Sequence, residues 1–461
     1  MSENSNKARI LPQYIASICI CLGALGMGTV LGWSSNITHE LLTGELNGIK
    51  MGTHELGWVG SCCTIGAMIM CFPAGFIADH IGRKPTCLLT AFPFVVGWLL
   101  ILFAQNVYML YAGRIITGAS GGSFVVLAPI YTTEIAQIHH RGALGSFMQY
   151  LLVIGIFYSN LFGWILSMYA FNVVNTIIPI IFAVLFFFQP ETPFYYIQKG
   201  NNEKAAQSFA RLRGKNYDYK EELDAMTKEI ENRRQYQDFK VAIKAKSAKK
   251  STIICFSLMF FQQMSGVNAV LFYAKHILMQ SETHIDVRYG VVGIGIISLI
   301  SITIGVWTTD YFGRTILLMA SSAGCSLSTF LLGFYFTIKD RISEDAVKPY
   351  GLWPIICVLC FVFSFQLGLG SLPWLACSEI FSPELKAKLG APAGSFNYLT
   401  AFIVTKCFYP VSENLGVDIA FYIFAFVSLI ACLFTLLIIP ETKHKTFEET
   451  IPELEKFWKY F

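Results

Sequence analysis

Among the carboxamides inside otherwise apolar stretches of this chain, Gln149, Gln262, Gln263 and Asn268 are candidates for binding. A carboxamide both donates and accepts hydrogen bonds without charge, so it suits a neutral, hydroxyl-bearing ligand in a low-dielectric setting. Bonding between neighbouring helices is the competing use for any one of them. Charged residues offer a second kind of chemistry. GFIADHIGRK at 75–84 and VWTTDYFGRT at 306–315 share one spacing, with Asp79, Gly82 and Arg83 matching Asp310, Gly313 and Arg314. Glycine can take a positive φ in a tight turn, and the flanking charges can reach helix ends or lipid headgroups.

The duplication continues around these turns. Glu134 and Arg141 recur as Glu379 and Lys386 at the same separation, and PET at 190 recurs at 440, placing Glu191 and Glu441. One chain order with unequal offsets marks two diverged halves. The repetition also favours a paired gate over charges that merely set topology.

Enzymatic chemistry is not expected. The sequence has no HExxH, nucleophile elbow or GxxxxGK[ST] phosphate loop, which leaves ATP drive unsupported as well. Cys357 and Cys360 form a CVLC that looks like a zinc or redox half-site, but no second pair or His stands at metal spacing. The 13 cysteines fall almost wholly in apolar stretches and read as packing residues, not a disulfide framework. No metal, cofactor or nucleic-acid partner is expected.

These residues need a membrane-spanning frame. Only 14% of the 461 residues are charged and 54% are hydrophobic, against about 25% charged in soluble domains. From Gly142 to Pro190 there is no Asp, Glu, Lys or Arg, which leaves room for two spans joined by an uncharged turn. Charge gaps place helices near 14–36, 56–78, 87–105, 107–132, 142–165 and 171–189, then 251–279, 288–309, 315–338, 351–378, 388–411 and 417–439. The first run is too long for a signal peptide and reads as a retained span.

The expected fold is an all-α membrane protein of twelve transmembrane helices in two pseudo-symmetric six-helix halves, 14–189 and 251–439. The tails 1–13 and 440–461 and the linker 190–250 complete the chain. The linker holds 14 basic and 9 acidic residues, and Phe209 with Leu212, then Leu223, Met226 and Ile230, mark one apolar stripe on each of two short helices. They predict a helical layer packed beneath the spans. Lys and Arg concentrate on the side holding the linker and both tails, which makes that side cytosolic.

Nine motifs in order then carry a resemblance over nearly the whole chain. They are GFIADHIGRK, GRIITG at 113–118, PIYTTEIA at 129–136, RG at 141, PETP at 190, QQMSGVN at 262–268, TDYFGR at 309, LPWLACSEIF at 372–381 and PETKHKTFEE at 440–449. The chain resembles the sugar porters of the major facilitator superfamily, including insect facilitated trehalose transporters. The resemblance implies a central site for a small neutral sugar, with the four amides as contacts and Trp374 against the apolar face of the ring. It adds Ser298, Asn397 and Tyr398 to that site and makes Tyr273 an external gate.

On the cytosolic side the resemblance implies gate charges: Asp79, Arg83, Glu134, Arg141, Glu191, Asp310, Arg314, Glu379, Lys386 and Glu441. The repeat suggests that Glu134 pairs with Lys386, and Glu379 with Arg141, while the site faces outward. Lys386 stands where such proteins usually have Arg, which weakens pairing there. Other departures surround the C-terminal part of the pocket. Ser298 replaces a common Asn, Tyr398 a Trp, Ser371 a Pro and Phe194 an Arg, so hexose specificity does not carry over.

Proton-coupled relatives place an Asp in the first helix opposite the Arg that matches Arg114; here that position is Val30. The reading is therefore facilitative uniport of a hexose or trehalose by a monomer in the plasma membrane. Its alternatives are a proton-coupled sugar or polyol symporter and a non-transporting sugar sensor. Asn36 opens the single NxS/T triplet, at the expected outer end of the first helix, and is a candidate glycosylation site.

Overall fold

A computed structural model describes residues 8–235, 243–244, 246–279, 286–341, 347–441 and 443, and these form helices, turns and coil with no strand among them. The N-terminal half comprises α1 (Leu11–Thr43), α2 (Thr53–Ile81), α3 (Arg83–Leu102), α4 (Val107–Ile135), α5 (Arg141–Ile165) and α6 (Met168–Phe187). The linker folds as α7 (Pro193–Gln198), α8 (Asn202–Arg213) and α9 (Lys220–Gln235). The C-terminal half comprises α10 (Lys246–Met264), α11 (Val267–Met279), α12 (Val287–Phe312), α13 (Arg314–Arg341), α14 (Trp353–Leu367), α15 (Leu372–Ile380), α16 (Pro383–Asn414) and α17 (Val417–Ile438).

Among the described residues, 11 segments are long and apolar enough to cross a membrane, with α10–α11 and α14–α15 each acting as one crossing. The 32-residue α16 supplies the twelfth. Helices are the expected solution, because backbone N–H and C=O groups find no water in the hydrocarbon. The halves meet through α1 with α11, α2 with α16 and α5 with α12.

Two expectations from the charge gaps need correction. The stretches 251–279 and 351–378 are not single helices: the first breaks at Ser265–Gly266 and the second between Leu367 and Leu372. Ser321 Oγ accepts from the Leu369 N–H, and Gln262 donates to the carbonyls of Leu369 and Gly370. Side chains thus satisfy the backbone freed at the second break. Helix α1 also runs past residue 36 to Thr43 and takes Glu40 with it. Polar Ser34, Ser35, Asn36 and Thr38 around the expected end are all buried.

The linker stripes pack as expected. Phe194, Ile197, Phe209, Met226 and Ile230 form one small core, whereas Leu212 joins the main core of the bundle. Fully buried Arg213 ties this layer to the N-terminal half. Its Nη1 donates to the Ile135 carbonyl at the end of α4 (2.7 Å), and its Nη2 pairs with Glu222 at 2.9 Å. We call this side of the bundle the linker face and the opposite side the far face.

On the linker face the duplicated turns are single residues. Gly82 (φ 109, ψ 158) separates α2 from α3, and Gly313 (φ 90, ψ 171) separates α12 from α13. Each turn admits a carboxylate. Glu191 Oε2 accepts from the Lys84 N–H (2.9 Å), while Glu441 accepts from the N–H groups of Arg314 (3.0 Å) and Thr315 (3.1 Å). A Cβ on Gly82 would stand 2.5 Å from Glu191 Oε2, and one on Gly313 2.6 Å from Glu441 Oε2. Burial pushes the Glu191 carboxyl up despite the N–H groups of Thr192 and Lys84. At Glu441 burial acts the same way, but bonds from the N–H groups of Arg314, Lys443 and Thr315 outweigh it and hold that carboxyl below its ordinary value.

Both glycines occupy a region of backbone space nearly closed to other residues, where a side chain costs roughly 1–3 kcal/mol. Gly82→Ala and Gly313→Ala should each lower the thermal unfolding midpoint of the detergent-purified protein and weaken the Glu191 or Glu441 contact. An unchanged midpoint in both variants would show that neither turn depends on glycine.

Candidate functional site

At the break between α10 and α11 the amides form one chain of hydrogen bonds. Gln263 Nε2 donates to Asn397 Oδ1 (2.8 Å), and Asn397 Nδ2 donates to Gln262 Oε1 (2.7 Å) and to the Met259 carbonyl (3.1 Å). Asn268 Nδ2 donates to Gln263 Oε1 at 2.5 Å. All four side chains are buried. Of the two uses the sequence leaves open, interhelical bonding is the one made here: the amides of α10, α11 and α16 hold each other at fixed positions.

Among the described residues, none of the other expected contacts bonds to this chain. Gln149 on α5 of the opposite half is half-buried. Trp374 on α15 is half-buried, its ring edge close to Gly394 of α16. Tyr398 is buried beside Asn397 in sequence and makes no hydrogen bond. Ser298 is not brought into the amide chain, because its hydroxyl donates to the Ile294 carbonyl of its own helix (2.7 Å).

Below the far face of the N-terminal half sits Arg114, fully buried on α4. Its Nη1 donates to the Val30 carbonyl (2.8 Å), Nη2 to Ser34 Oγ (2.6 Å) and Nε to the Val59 carbonyl (3.2 Å). The Trp33 ring covers the guanidinium at 4.9 Å. Carbonyls, a hydroxyl and an aromatic face thus solvate this charge, and no carboxylate pairs with it. The alignment of Val30 opposite Arg114 is realised in space.

The halves are joined from the middle of the bundle to the far face. Ser395 Oγ donates to the Met68 carbonyl (3.2 Å), and Asn160 Nδ2 on α5 donates to the Val291 carbonyl on α12 (3.2 Å). Lys275 on α11 pairs with Glu40 on α1 at 2.7 Å, and its backbone N–H donates to Ser35 Oγ. Tyr273 is buried where α11 departs from helical geometry; it donates to the Thr405 carbonyl (3.1 Å) and stacks on Phe408 with ring centroids 5.4 Å apart. Its hydroxyl presses on Gly60 of the other half, where a Cβ would stand 2.6 Å away.

Sequence reasoning missed the pair of Glu40 and Lys275. The available signal was a lone Lys in an apolar run, which must find an acid or snorkel out. The glycosylation expected at Asn36 is also corrected. Asn36 lies within α1 and is only 5% exposed, and its Nδ2 donates to the carbonyls of Gly32 and Ser159. An oligosaccharide needs that nitrogen free and outside the fold.

On the linker face, Arg83 and Arg314 pair with acids of their own halves. Arg83 pairs with Glu134 (2.7 Å) and Asp79 (2.9 Å), and Thr192 Oγ1 donates to Glu134 Oε2 (2.6 Å). Arg314 pairs with Glu379 at 3.1 Å in the equivalent position. The crossed pairs suggested by the repeat, Glu134 with Lys386 and Glu379 with Arg141, are not made in this conformation. Lys386 Nζ instead donates to the Ser378 carbonyl (3.5 Å). The side chain of Asp310 lies outside the described residues. Phe194, which stands where Arg was expected, is buried with its ring 6.0 Å from the Arg83 guanidinium.

Comparison with known proteins places this geometry. The family model described as "Sugar (and other) transporter" matches residues 19–454. A facilitated trehalose transporter Tret1 from Bombyx mori is 31% identical over 448 residues, covering 97% of this chain and 88% of that protein. The Tret1 of Apis mellifera ligustica is 32% identical with 96% and 88% coverage. That of Drosophila willistoni is 30% identical, and this chain spans only about half of its length, 51%. Among solved structures, the inward open conformation of the xylose transporter XylE from E. coli superposes with a TM-score of 0.78 at 23% identity, covering 96% of this chain and 99% of that one. Its partially occluded inward open conformation gives a TM-score of 0.77 at 22% identity, with 94% and 99% coverage.

The ion pair of Glu40 and Lys275 predicts a latch between the halves. Glu40→Gln and Lys275→Met should each lengthen the distance between spin labels on the outer ends of α1 and α11, and the double variant should go no further. A coupling of about 1–3 kcal/mol is the ordinary scale for such a link. Unaltered distances in both single variants would reduce the pair to a surface contact.

Proposed function

Because this chain belongs to the sugar (and other) transporter family, we propose that it carries a small neutral sugar, a hexose or trehalose, down its gradient by alternating access. Membership of a family of multi-pass carriers sets an enzymatic reading aside. The observation that carries the uniport reading is Arg114, whose three bonded nitrogens meet Val30, Val59 and Ser34 and no titratable acid. A proton-coupled cycle needs a group in the membrane that gains and loses a proton beside that charge. Among the described residues no such group bonds Arg114.

The substrate site is the amide chain of Gln262, Gln263, Asn268 and Asn397, with Gln149 facing it from the other half and Trp374 and Tyr398 at its margin. Sugar hydroxyls can replace one amide partner with another at little cost, since each amide both donates and accepts. Ser298, held by its own helix, contributes shape instead of a hydrogen bond. Tyr273, Glu40 and Lys275 serve as the external gate, which is closed in this conformation.

The linker face is cytosolic in this reading, with both tails inside and the carrier in the plasma membrane. Arg9, the linker helices and Lys443 support it by lying on that face, as the positive-inside tendency requires. Closed far-face contacts together with in-half pairs on the linker face fit an inward-facing state. Opening the far face would let Glu134 and Glu379 exchange partners towards Lys386 and Arg141, with Asp79, Glu191 and Glu441 holding the turns that carry Arg83 and Arg314.

Two measurements test this function. Gln262→Ala and Gln263→Ala should lower sugar uptake by roughly 2- to 10-fold, the scale of one neutral hydrogen bond, with surface expression intact; full uptake in both would remove the site. Wild-type uptake should be indifferent to a protonophore, whereas Val30→Asp should make uptake rise as external pH falls. Protonophore-sensitive accumulation by the wild type would replace uniport with symport.

A further inference from the structure

Between the halves at the far face lies a cavity of about 450 Å³, away from the amide chain. Its walls include Asn36 and Glu40 of α1, Asn160 and Trp164 of α5, Lys275 of α11 and Arg288 of α12. The size falls within the roughly 300–1,000 Å³ of ordinary small-molecule sites. We infer that this cavity is a second binding site, for a neutral polyhydroxylated molecule, which exists only while the far face is closed.

Glu40 points to the ligand class. Its residue is only 8% exposed, and Oε1 is taken by Lys275 at 2.7 Å, whereas Oε2 is buried without any hydrogen-bond partner. A buried acceptor left unpaired is unfavourable, so a donor that enters the cavity and turns the Glu40 side chain enough to reach Oε2 gains by meeting it. Lys275 already compensates the carboxylate charge, which favours a neutral hydroxyl over a second cation. The Trp164 indole, half-buried and set edge-on to Tyr289 with centroids 5.2 Å apart, offers an apolar face for the C–H side of a ring.

The walls come from both halves, so opening the far face pulls the site apart. A ligand that binds one conformation alone shifts the population towards it. Outside sugar in this cavity therefore holds the carrier with its central site turned inward and slows the return needed for uptake. This consequence rests on the transport reading above, whereas the binding itself does not.

The test uses the full chain. Uptake of labelled trehalose by expressing cells should pass through a maximum and fall by about twofold at high external concentration, as a ligand that roughly doubles the closed-state weight requires. Trp164→Ala should turn that fall into a plateau while leaving uptake at low concentration unchanged. Saturation-transfer titration of trehalose with the purified protein should show two binding components, of which Gln262→Ala weakens one by roughly 2- to 10-fold and Trp164→Ala removes the other. Wild-type uptake that rises to a plateau, or a titration that Trp164→Ala leaves unchanged, overturns the second site. Absence of uptake alongside a component that Trp164→Ala removes would sink the transport reading and leave the second site standing.

Discussion

Every polar group placed inside a bilayer has to be solvated by the protein itself, and this requirement organises the molecule. Arg114 shows it most directly: fully buried, it takes two carbonyls, a hydroxyl and an indole face as its surroundings. The breaks in the C-terminal half obey the same rule, since Gln262 occupies the carbonyls that the gap between α14 and α15 leaves free. A residue suited to binding is thus also the residue that makes the break tolerable. Removing it disturbs two functions through one set of bonds.

The duplication shows which parts of this solution are general and which are specific. Each half repeats a glycine turn, a carboxylate from a PET segment capping the next helix, and an Arg paired with a Glu from a helix further on. Those pieces shape the linker face. The amide chain, by contrast, lies wholly in the C-terminal half, and the buried Arg114 in the N-terminal half. The two copies of one framework have therefore diverged, with one half holding the chain of neutral amides and the other a buried guanidinium solvated by carbonyls, a hydroxyl and an indole face.

Much of this was legible in the sequence because bilayers punish charge. The uncharged stretch from Gly142 to Pro190 marked two spans, and QQMSGVN marked three members of the amide chain. What stayed hidden depended on partners far away in sequence. The helical course of α1 through Asn36 was obscured by polar residues that turn out to be buried, and this also made the Asn36 triplet look accessible. Glu40 and Lys275 are separated by 235 positions, and neither alone specifies the other. Ser298 stays apart from the amide chain for a simpler reason: a serine in a helix can satisfy its hydroxyl proton on the preceding turn, and this one does.

The linker-face charges suggest how such a bundle can have two conformations of nearly equal weight. Breaking a buried ion pair by removing one partner costs several kcal/mol, so a gate that simply made and broke pairs would favour one state heavily. In this conformation Glu134 holds Arg83 and Thr192, and Glu379 holds Arg314. Exchange of these partners for Lys386 and Arg141 in the proposed opposite state would leave both carboxylates satisfied. The change in electrostatic free energy is then the small difference between two sets of bonds, of the same order as the single latch between Glu40 and Lys275 on the other face. A rocking carrier needs that balance, because occupancy of one sugar site has only a few hydrogen bonds with which to tip it.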